Sequence, residues 1–261
     1  MPKINVYLPD DLAAAVRESG IPVSPVCQKA LSEAVRRVKR ARRAVKVLRD
    51  PRLDQTSASR LGERLAGPMT PRLREAVRLA QVAATSTGCV ETRHLLIGLL
   101  DERDNLGVLI LQVLGVDAAE LRDAAERIDM QEPDAGTADT AGTAGTAKES
   151  GPGSDGSWLS ELSFPARLAY ASTLEASIDL GHNYLGCEHL LLGLLDVEDA
   201  GAFRVLDAFG VNKDNAHRSL NAAIAGFTHG RQTSATTSDT IIEDIVRRLD
   251  AIETALAALD G

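Results

Sequence analysis

Apolar residues recur every three to four positions along most of the chain, the spacing that places them on one face of an α-helix. One stretch of this kind occurs twice. Residues 92–101 read TRHLLIGLLD, and residues 187–196 read CEHLLLGLLD, 95 positions later. The same offset, without a gap, carries Ala76 onto Ala171. A helical unit therefore occurs twice in this sequence.

Each copy of the unit predicts four short helices. In the first copy they cover residues 70–86, 91–101, 106–114 and 117–128, and the second copy repeats this plan over residues 164–225. Aromatic residues make up only 3% of the chain, which favours helices over a β-sandwich or a barrel. The sequence predicts a mainly α protein.

The amino-terminal segment has a different pattern. Residues 3–8 alternate polar and apolar side chains, with the period of two that a half-buried strand requires. Pro9 ends this predicted strand, and a helix follows as far as Gly20. A second helix is expected to begin with Ser24 as its N-cap, and its later turns become strongly basic.

The carboxy-terminal segment carries an apolar seam with alternating spacings of three and four, as in a coiled coil. Its members are Ile242, Ile245, Leu249, Ile252, Leu256 and Leu259. Such a helix could pair with a second copy or dock on its own chain. The predicted segments are a head (1–49), a hinge (50–68), the first repeat (69–130), a flexible linker (131–160), the second repeat (161–227), a linker (228–239) and a coiled-coil-like helix (240–260).

Charge is distributed unevenly along the chain. The net charge is −8, yet residues 1–52 carry 12 Lys or Arg against 5 Asp or Glu. A basic head on an acidic body raises the question of nucleic-acid binding, although a solvated helix face gives the same pattern. No signal peptide or membrane-spanning run is evident, and three scattered cysteines indicate a reducing compartment, so we expect a cytoplasmic protein with no membrane partner.

The sequence offers no catalytic arrangement. His94 and His189 precede apolar helices at equivalent positions and are interpreted as packed, structural histidines. No Ser-His-Asp or Cys-His spacing and no zinc-ligand spacing is present. We therefore expect a protein that is not an enzyme and has neither a metal nor a cofactor.

Residues 2–43 resemble the ribbon-helix-helix family of DNA-binding proteins, in which two chains pair their strands into a ribbon that enters the major groove. The resemblance implies a homodimer in which Lys3, Asn5 and Tyr7 read the bases of duplex DNA. Ser24 and the backbone of Val26 would hold a phosphate at a helix N-terminus. The alternative is a head that only dimerises the protein.

The repeats resemble the amino-terminal domain of Clp-class AAA+ unfoldases, particularly the ClpC type, most clearly in residues 180–195, LGHNYLGCEHLLLGLL. That resemblance implies two all-helical four-helix repeats that receive substrates and adaptors. The chain has no Walker A motif and no second ATPase module. It therefore resembles the receptor domain without its motor.

The resemblance also implies ligands. ClpC-type domains recognise arginine-phosphorylated proteins through a Thr at the start of the first helix and a Glu before the His of each repeat. The first repeat has Thr70 with Arg93, and the second has Pro165 with Glu188. The resemblance therefore disfavours phosphoarginine at Arg93, whose charge repels a guanidinium, and leaves Glu188 as the candidate residue. The alternative for Glu188 is an exposed glutamate in the first turn that stabilises the helix dipole.

The groove between the repeats also captures hydrophobic cyclic peptides in this family, antibiotics included, and Met69, Arg72 and Phe164 match positions near it. The leading hypothesis is a non-enzymatic transcriptional autoregulator whose head binds DNA at its own promoter, while its body senses or sequesters a peptide-like ligand. The alternative is an adaptor or decoy of the Clp protease whose head only dimerises it.

Overall fold

The computed structural model describes residues 7–128 and 156–224. This part of the chain is helical, without a β-strand, and has two isolated β-bridges. The helices are α1 (Asp10–Ser19), α2 (Val23–Leu48), α3 (Gln55–Ala66), α4 (Pro71–Ala83), α5 (Thr92–Glu102), α6 (Leu106–Val113), α7 (Ala118–Arg127), α8 (Phe164–Asp179), α9 (Cys187–Leu194), α10 (Gly201–Ala208) and α11 (213–224). Short 3-10 helices cover Ala84–Ser86 and Gly156–Glu161.

The amino-terminal strand expected from the alternating pattern is wrong at the two positions that can be compared. Tyr7 and Leu8 are exposed and precede α1 without joining a strand. Lys3 and Asn5 lie outside the described residues, as does the predicted coiled-coil segment 240–260.

The start of α2 also differs from the expectation. Pro22 occupies the N-cap and Val23 is the first helical residue, so Ser24 lies inside the first turn. The backbone N–H of Val26 donates to the carbonyl oxygen of Pro22 at 3.3 Å. The Val26 N–H therefore makes the first hydrogen bond of the helix, with the carbonyl group of the N-cap residue. It is thus not available to a phosphate.

Residues expected to form a hinge and a linker contribute to the core instead. Asp54 caps α3 by accepting a hydrogen bond from the Ser57 N–H at 2.9 Å. Helix α3 packs against the 3-10 helix Gly156–Glu161, which lies at the end of the predicted linker and carries the buried side chains of Trp158 and Leu159. The apolar residues of these short elements were too few to show a helical period in the sequence.

The repeated segments form the centre of the fold, where α5 crosses α4 and α9 crosses α8. A Cβ atom at Gly98 would overlap the backbone of Ala76 and Ala80, and a Cβ atom at Gly193 would overlap Ala169 and Thr173. Glycine at both positions thus allows two helix backbones to approach closely. The leucines around each glycine are buried.

These crossings reveal a two-residue shift between the repeats. Gly98 and Gly193 are 95 residues apart, but their contacts Ala76 and Ala169 are 93 apart. The ungapped offset that the sequence suggested is therefore wrong for α4 and α8. The second copy has two more residues between Ala169 and Gly193 than the first copy has between Ala76 and Gly98.

The helix caps show the same shift. The Thr70 hydroxyl accepts the N–H of Leu73 at 3.2 Å, and the Ser163 hydroxyl accepts the N–H of Ala166 at 3.2 Å. Ser163, and not Pro165, is therefore the structural counterpart of Thr70. Within the described ranges, no helix is long and apolar enough to span a membrane.

Candidate functional site

The start of α4 lies against the turn that precedes α9. Thr70 donates its N–H to the carbonyl oxygen of Leu185 at 2.8 Å, and Leu185 donates its N–H to the carbonyl oxygen of Pro68 at 2.8 Å. We call this junction edge A and define it as residues 68–70 together with residues 182–189. It joins the first helix of the first repeat to the second helix of the second repeat.

The start of α8 lies in the same way against the turn that precedes α5. Val90 donates its N–H to the carbonyl oxygen of Glu161 at 2.8 Å, and Ser163 donates its N–H to the carbonyl oxygen of Val90 at 2.9 Å. This second junction, edge B, comprises residues 161–164 together with residues 87–94. The two edges are related by the pseudo-twofold arrangement of the repeats.

This arrangement changes the pairing of the candidate ligand residues. The sequence grouped Thr70 with Arg93 because both belong to the first repeat. The structure brings Thr70 to the segment that contains Glu188 at edge A, and it brings Ser163 to the segment that contains Arg93 at edge B. Edge A therefore has both a hydroxyl and a carboxylate residue, whereas edge B has a hydroxyl and a guanidinium.

Two histidines form a hydrogen-bonded pair in edge A. The Gly186 N–H donates to Nδ1 of His189 at 2.9 Å, so a neutral His189 carries its proton on Nε2. That Nε2 lies 2.8 Å from Nδ1 of His182, whose ring stacks on Tyr184 with centroids 5.0 Å apart. Burial lowers the pKa of His189 to about 3 and also lowers the pKa of His182. The interpretation of His189 as a packed structural histidine is confirmed by its burial and its hydrogen bonds.

Glu188 is only 4% exposed and folds back over the preceding turn. Its carboxylate occupies the space that a Cβ atom at residue 186 would need, which explains the glycine there. Burial raises the pKa of Glu188, while backbone hydrogen bonding and a side-chain hydrogen bond from Tyr184 oppose that rise. Nδ1 of His189 lies 3.3 Å from Oε1 of Glu188, but the lowered pKa of His189 keeps that ring neutral near neutral pH. A ligand that supplies a positive charge would therefore compensate a buried Glu188 carboxylate.

His182, Glu188 and His189 have donor atoms within 4.8 Å of one another and raise the question of a metal site. The hydrogen bond from Gly186 argues against one, because it leaves the proton of a neutral His189 on the nitrogen that faces His182. A metal at this nitrogen would require the proton on Nδ1, directly opposite the Gly186 N–H. The cluster fits a hydrogen-bond network better than a metal centre.

Edge B has an internal ion pair at the equivalent positions. Glu91 stands where edge A has Gly186, and Arg93 stands where edge A has Glu188. Arg93 is 6% exposed, and its Nε donates to Oε2 of Glu91 at 2.6 Å. The N–H of Glu91 donates to Nδ1 of His94 at 3.0 Å, as Gly186 does to His189 in edge A. The charge of Arg93 is thus compensated within edge B.

The three other residues that the sequence predicted to bind a peptide ligand, Met69, Arg72 and Phe164, lie in different environments. Met69 is buried in the core and forms the bridge to Leu185. Arg72 is half exposed and forms ion pairs of 3.1 Å with both Glu102 and Asp104. Phe164 is partly exposed at edge B. Met69 is therefore unavailable as a surface contact, and Arg72 is directed toward the end of α5.

Phe164 has a cationic neighbour that the sequence did not indicate. The guanidinium carbon of Arg167 lies 5.3 Å from the centre of the Phe164 ring. Arg167 also lies 3.5 Å from the carbonyl oxygen of Asp50, just after α2. The reasoning from sequence also missed Ser163, Tyr184 and Glu91. Ser163 could have been found as an N-cap before the Phe-Pro pair, but Glu91 becomes informative only beside Arg93.

The basic residues of the head lie on a helix that extends from the repeat body. Helix α2 has 26 residues, a length of about 39 Å. Ala44, Val45 and Leu48 in its last turns are buried, and α2 packs on α8. The basic residues of this helix that are exposed are Lys29, Arg36, Arg37, Lys39, Arg40, Arg42, Arg43 and Lys46.

Comparison with known proteins supports the resemblance of the repeats. The family model described as the Clp repeat (R) N-terminal domain matches residues 68–148 and 161–243. An uncharacterized protein of Mycobacterium tuberculosis (strain ATCC 25618 / H37Rv) is 34% identical over 161 residues, covering 61% of this chain and 54% of the relative. The chain thus spans about half the length of that relative.

Two further matches come from Clp proteins. The negative regulator of genetic competence ClpC/MecB of Bacillus subtilis (strain 168) is 25% identical over 191 residues, which covers 71% of this chain and 21% of that protein. The crystal structure of the N-terminal domain of the chaperone ClpD from Arabidopsis thaliana has a TM-score of 0.46 and 23% identity, covering 60% of this chain and 95% of that chain.

Proposed function

Because the chain belongs to the Clp repeat N-terminal domain family, we propose that it is a non-catalytic receptor that binds a peptide-like segment at edge A. The observation that carries this proposal is the backbone pairing of Thr70 with Leu185, which places a helix N-terminus beside the turn that holds Glu188. A helix N-terminus attracts an anionic group and a buried carboxylate attracts a cation.

The partial positive charge of the helix N-terminus and the negative charge of the Glu188 carboxylate together suit a ligand that carries a cation next to an anion. In a phosphorylated arginine, the guanidinium would approach Glu188 and the phosphate would approach the N-terminus of α4 at Thr70. Edge B does not offer this combination, since Arg93 and Glu91 already form an ion pair there. Hydrophobic cyclic peptides, antibiotics included, are a second ligand class, for which Tyr184 offers an exposed ring.

Calorimetry of the full chain tests this receptor role with phosphoarginine, an arginine-phosphorylated peptide and a hydrophobic cyclic peptide as separate probes. We expect one binding site per chain for the phosphorylated peptide. Glu188→Gln should weaken binding by at least about tenfold, or 1.4 kcal/mol. Glu175→Gln removes a carboxylate that pairs with Arg49 outside both edges and should leave affinity unchanged. Absence of binding by all three probes would reject the receptor role.

A second candidate function is nucleic-acid binding by α2, favoured by its row of exposed basic side chains. Lys and Arg along one helix neutralise phosphates, and such binding weakens steeply as salt rises. Base reading by Lys3, Asn5 and Tyr7 in a dimeric head would add sequence specificity to this contact. The chain would then be a regulator that binds both DNA and a peptide-like ligand.

A mobility shift with duplex DNA separates this function from a Clp adaptor or decoy whose head does not bind DNA. Arg36→Ala with Arg40→Ala should reduce affinity on every sequence and flatten the salt dependence. Lys3→Ala with Asn5→Ala should reduce affinity only for a preferred sequence. Arg218→Ala on α11 is the matched control. An unchanged DNA affinity of the variant with Arg36→Ala and Arg40→Ala would contradict this role of the helix.

A further inference from the structure

Helix α2 carries one continuous apolar stripe, but the body of the protein covers only its end. Val23, Cys27, Leu31 and Val35 follow one another at intervals of four, so they lie along one side of the helix. Leu31 is 54% exposed and Val35 is 51% exposed. The same side continues through the partly buried Val38 into Val45, which is buried where α2 packs on α8.

The uncovered part of this stripe is a surface on α2. We call this surface the head face, and its exposed apolar members are Val23, Cys27, Leu31 and Val35. An apolar surface of this kind, continuous with an internal interface, is typical of a site that another element covers.

The charges along α2 indicate which kind of segment could cover the stripe. Arg37 and Arg42 flank the stripe, and the helix has only one acidic residue, Glu33. Two α2 helices placed side by side would bring like charges together along the seam, which opposes pairing with a second copy. An apolar helix with acidic flanks would meet both the stripe and the charges.

The chain contains a segment with this composition. Residues 240–260 have six apolar positions, at spacings of three and four, that span nearly the same length as the stripe from Cys27 to Val45. They carry five acidic residues against two arginines. Glu253 and Asp260 directly follow seam positions, where they can approach Arg37 or Arg42.

The connection between α11 and the acidic segment, fully extended, is longer than α2 itself. The last described residue of α11 is 224, and 15 residues lie between it and residue 240. An extended chain of this length spans up to about 50 Å, which exceeds the length of about 39 Å for α2.

We propose that residues 240–260 of the same chain occupy the head face as an acidic amphipathic helix. The segment covers Leu31 and Val35 with its apolar seam and compensates Arg37 and Arg42 with its carboxylates. This interaction does not depend on the ligand of edge A or on DNA binding.

Cys27 provides a probe for this contact because its side chain is exposed on the stripe. Full-length chains with Cys89→Ser and Cys187→Ser receive one new thiol, through Ile242→Cys, Ile252→Cys or Leu256→Cys. A short bismaleimide is then added at low protein concentration, and products are separated on a denaturing gel and mapped by mass spectrometry. We expect a link within single chains between Cys27 and the new thiol in at least one of the three variants.

Leu31→Asp with Val35→Asp should reduce the yield of this link at least fivefold. Val113→Asp, at an exposed apolar position on α6, is the matched control and should leave the yield unchanged. Circular dichroism verifies that each variant keeps its helix content. A link between two chains, whether from Cys27 to Cys27 or from Cys27 to the tail of another copy, overturns the proposal. Equal yields with and without the aspartates overturn it as well.

Discussion

Thr70 donates its backbone N–H to the carbonyl oxygen of Leu185 at 2.8 Å, which joins the first helix of one repeat to the second helix of the other. Each candidate binding edge is consequently built from both repeats. Each edge combines a helix-capping hydroxyl residue from one copy with a turn from the other copy that leads to a charged residue. The charged residue is Glu188 in edge A, whereas Arg93 in edge B is paired with Glu91, so the two edges differ in the charge they offer to a ligand.

The close helix crossings predict a strong effect of one methyl group. Gly98→Ala and Gly193→Ala place a Cβ atom against helix backbone that cannot move aside, and each should lower the free energy of unfolding by about 1–3 kcal/mol or more. Gly67→Ala is the control, since its Cβ atom would meet only Arg64 at 3.9 Å. Denaturant unfolding measures all three. Equal stability of Gly98→Ala and Gly67→Ala would contradict the crossing.

The glycine of edge A predicts a different outcome. A Cβ atom at Gly186 meets the end of the Glu188 side chain, which can rotate toward solvent. Gly186→Ala should therefore cost little stability, less than about 1 kcal/mol. It should also lower the pKa of Glu188 toward its usual range by restoring hydration. Carboxyl chemical shifts followed through a pH titration measure this pKa, and an unchanged value would show that Glu188 stays in place.

The buried histidine predicts a pH dependence of stability. The pKa of His189 falls to about 3 in the folded protein because of burial, so the unfolded chain binds a proton more readily. Folding stability should therefore decrease as pH falls from about 6.5 toward 3, by up to about 1.4 kcal/mol for each pH unit. The raised pKa of Glu188 has the opposite sign and offsets part of this loss near its own titration.

Unfolding at several pH values between 7.5 and 4 tests this dependence. His189→Gln should flatten the curve, because its amide does not titrate in this range. A His189→Gln curve with the slope of the unchanged protein would show that the acid sensitivity arises elsewhere.

The junction between α2 and the repeat body depends on a few buried side chains. Leu48 is fully buried where α2 meets α8, so Leu48→Ala should lower stability by about 2–5 kcal/mol. Val47→Ala is the control on the exposed side of the same turn and should cost under about 1 kcal/mol. Thermal unfolding followed by circular dichroism compares the two variants. Similar losses in both would show that the burial of Leu48 contributes little to stability.

The acidic tail and the basic helix together predict a change in nucleic-acid affinity. If both proposals hold, deletion of residues 240–261 exposes the basic side of α2 and should strengthen DNA binding at low salt, with a steeper salt dependence. A mobility shift across a salt series measures this. Unchanged affinity, together with the expected Cys27 link, would separate the two proposals, since the tail would then cover the apolar stripe without shielding the basic residues.

Much of the helical architecture follows from the sequence, because periodic apolar residues and capping side chains act locally. The doubled leucine segments, the caps at Thr70 and Asp117, and the left-handed Gly115 and Gly210 are all local signals of this kind. The sequence did not indicate the length of α3 within residues 50–68, because that helix packs against the distant residues 156–161.

The binding edges depend on contacts between distant segments, which residue order does not specify. Chain order grouped Thr70 with Arg93, while packing of the repeats brings Thr70 beside the turn of Glu188. Similar residues recur in the first helices at an offset of 95, and this match concealed the offset of 93 that makes Ser163 the counterpart of Thr70. By itself the sequence determined a mainly helical, repeated protein, because its signals act within a few residues. Only the tertiary structure decided which capping hydroxyl lies on the same edge as the carboxylate and which on the same edge as the guanidinium, because that pairing of segments depends on how the two repeats pack.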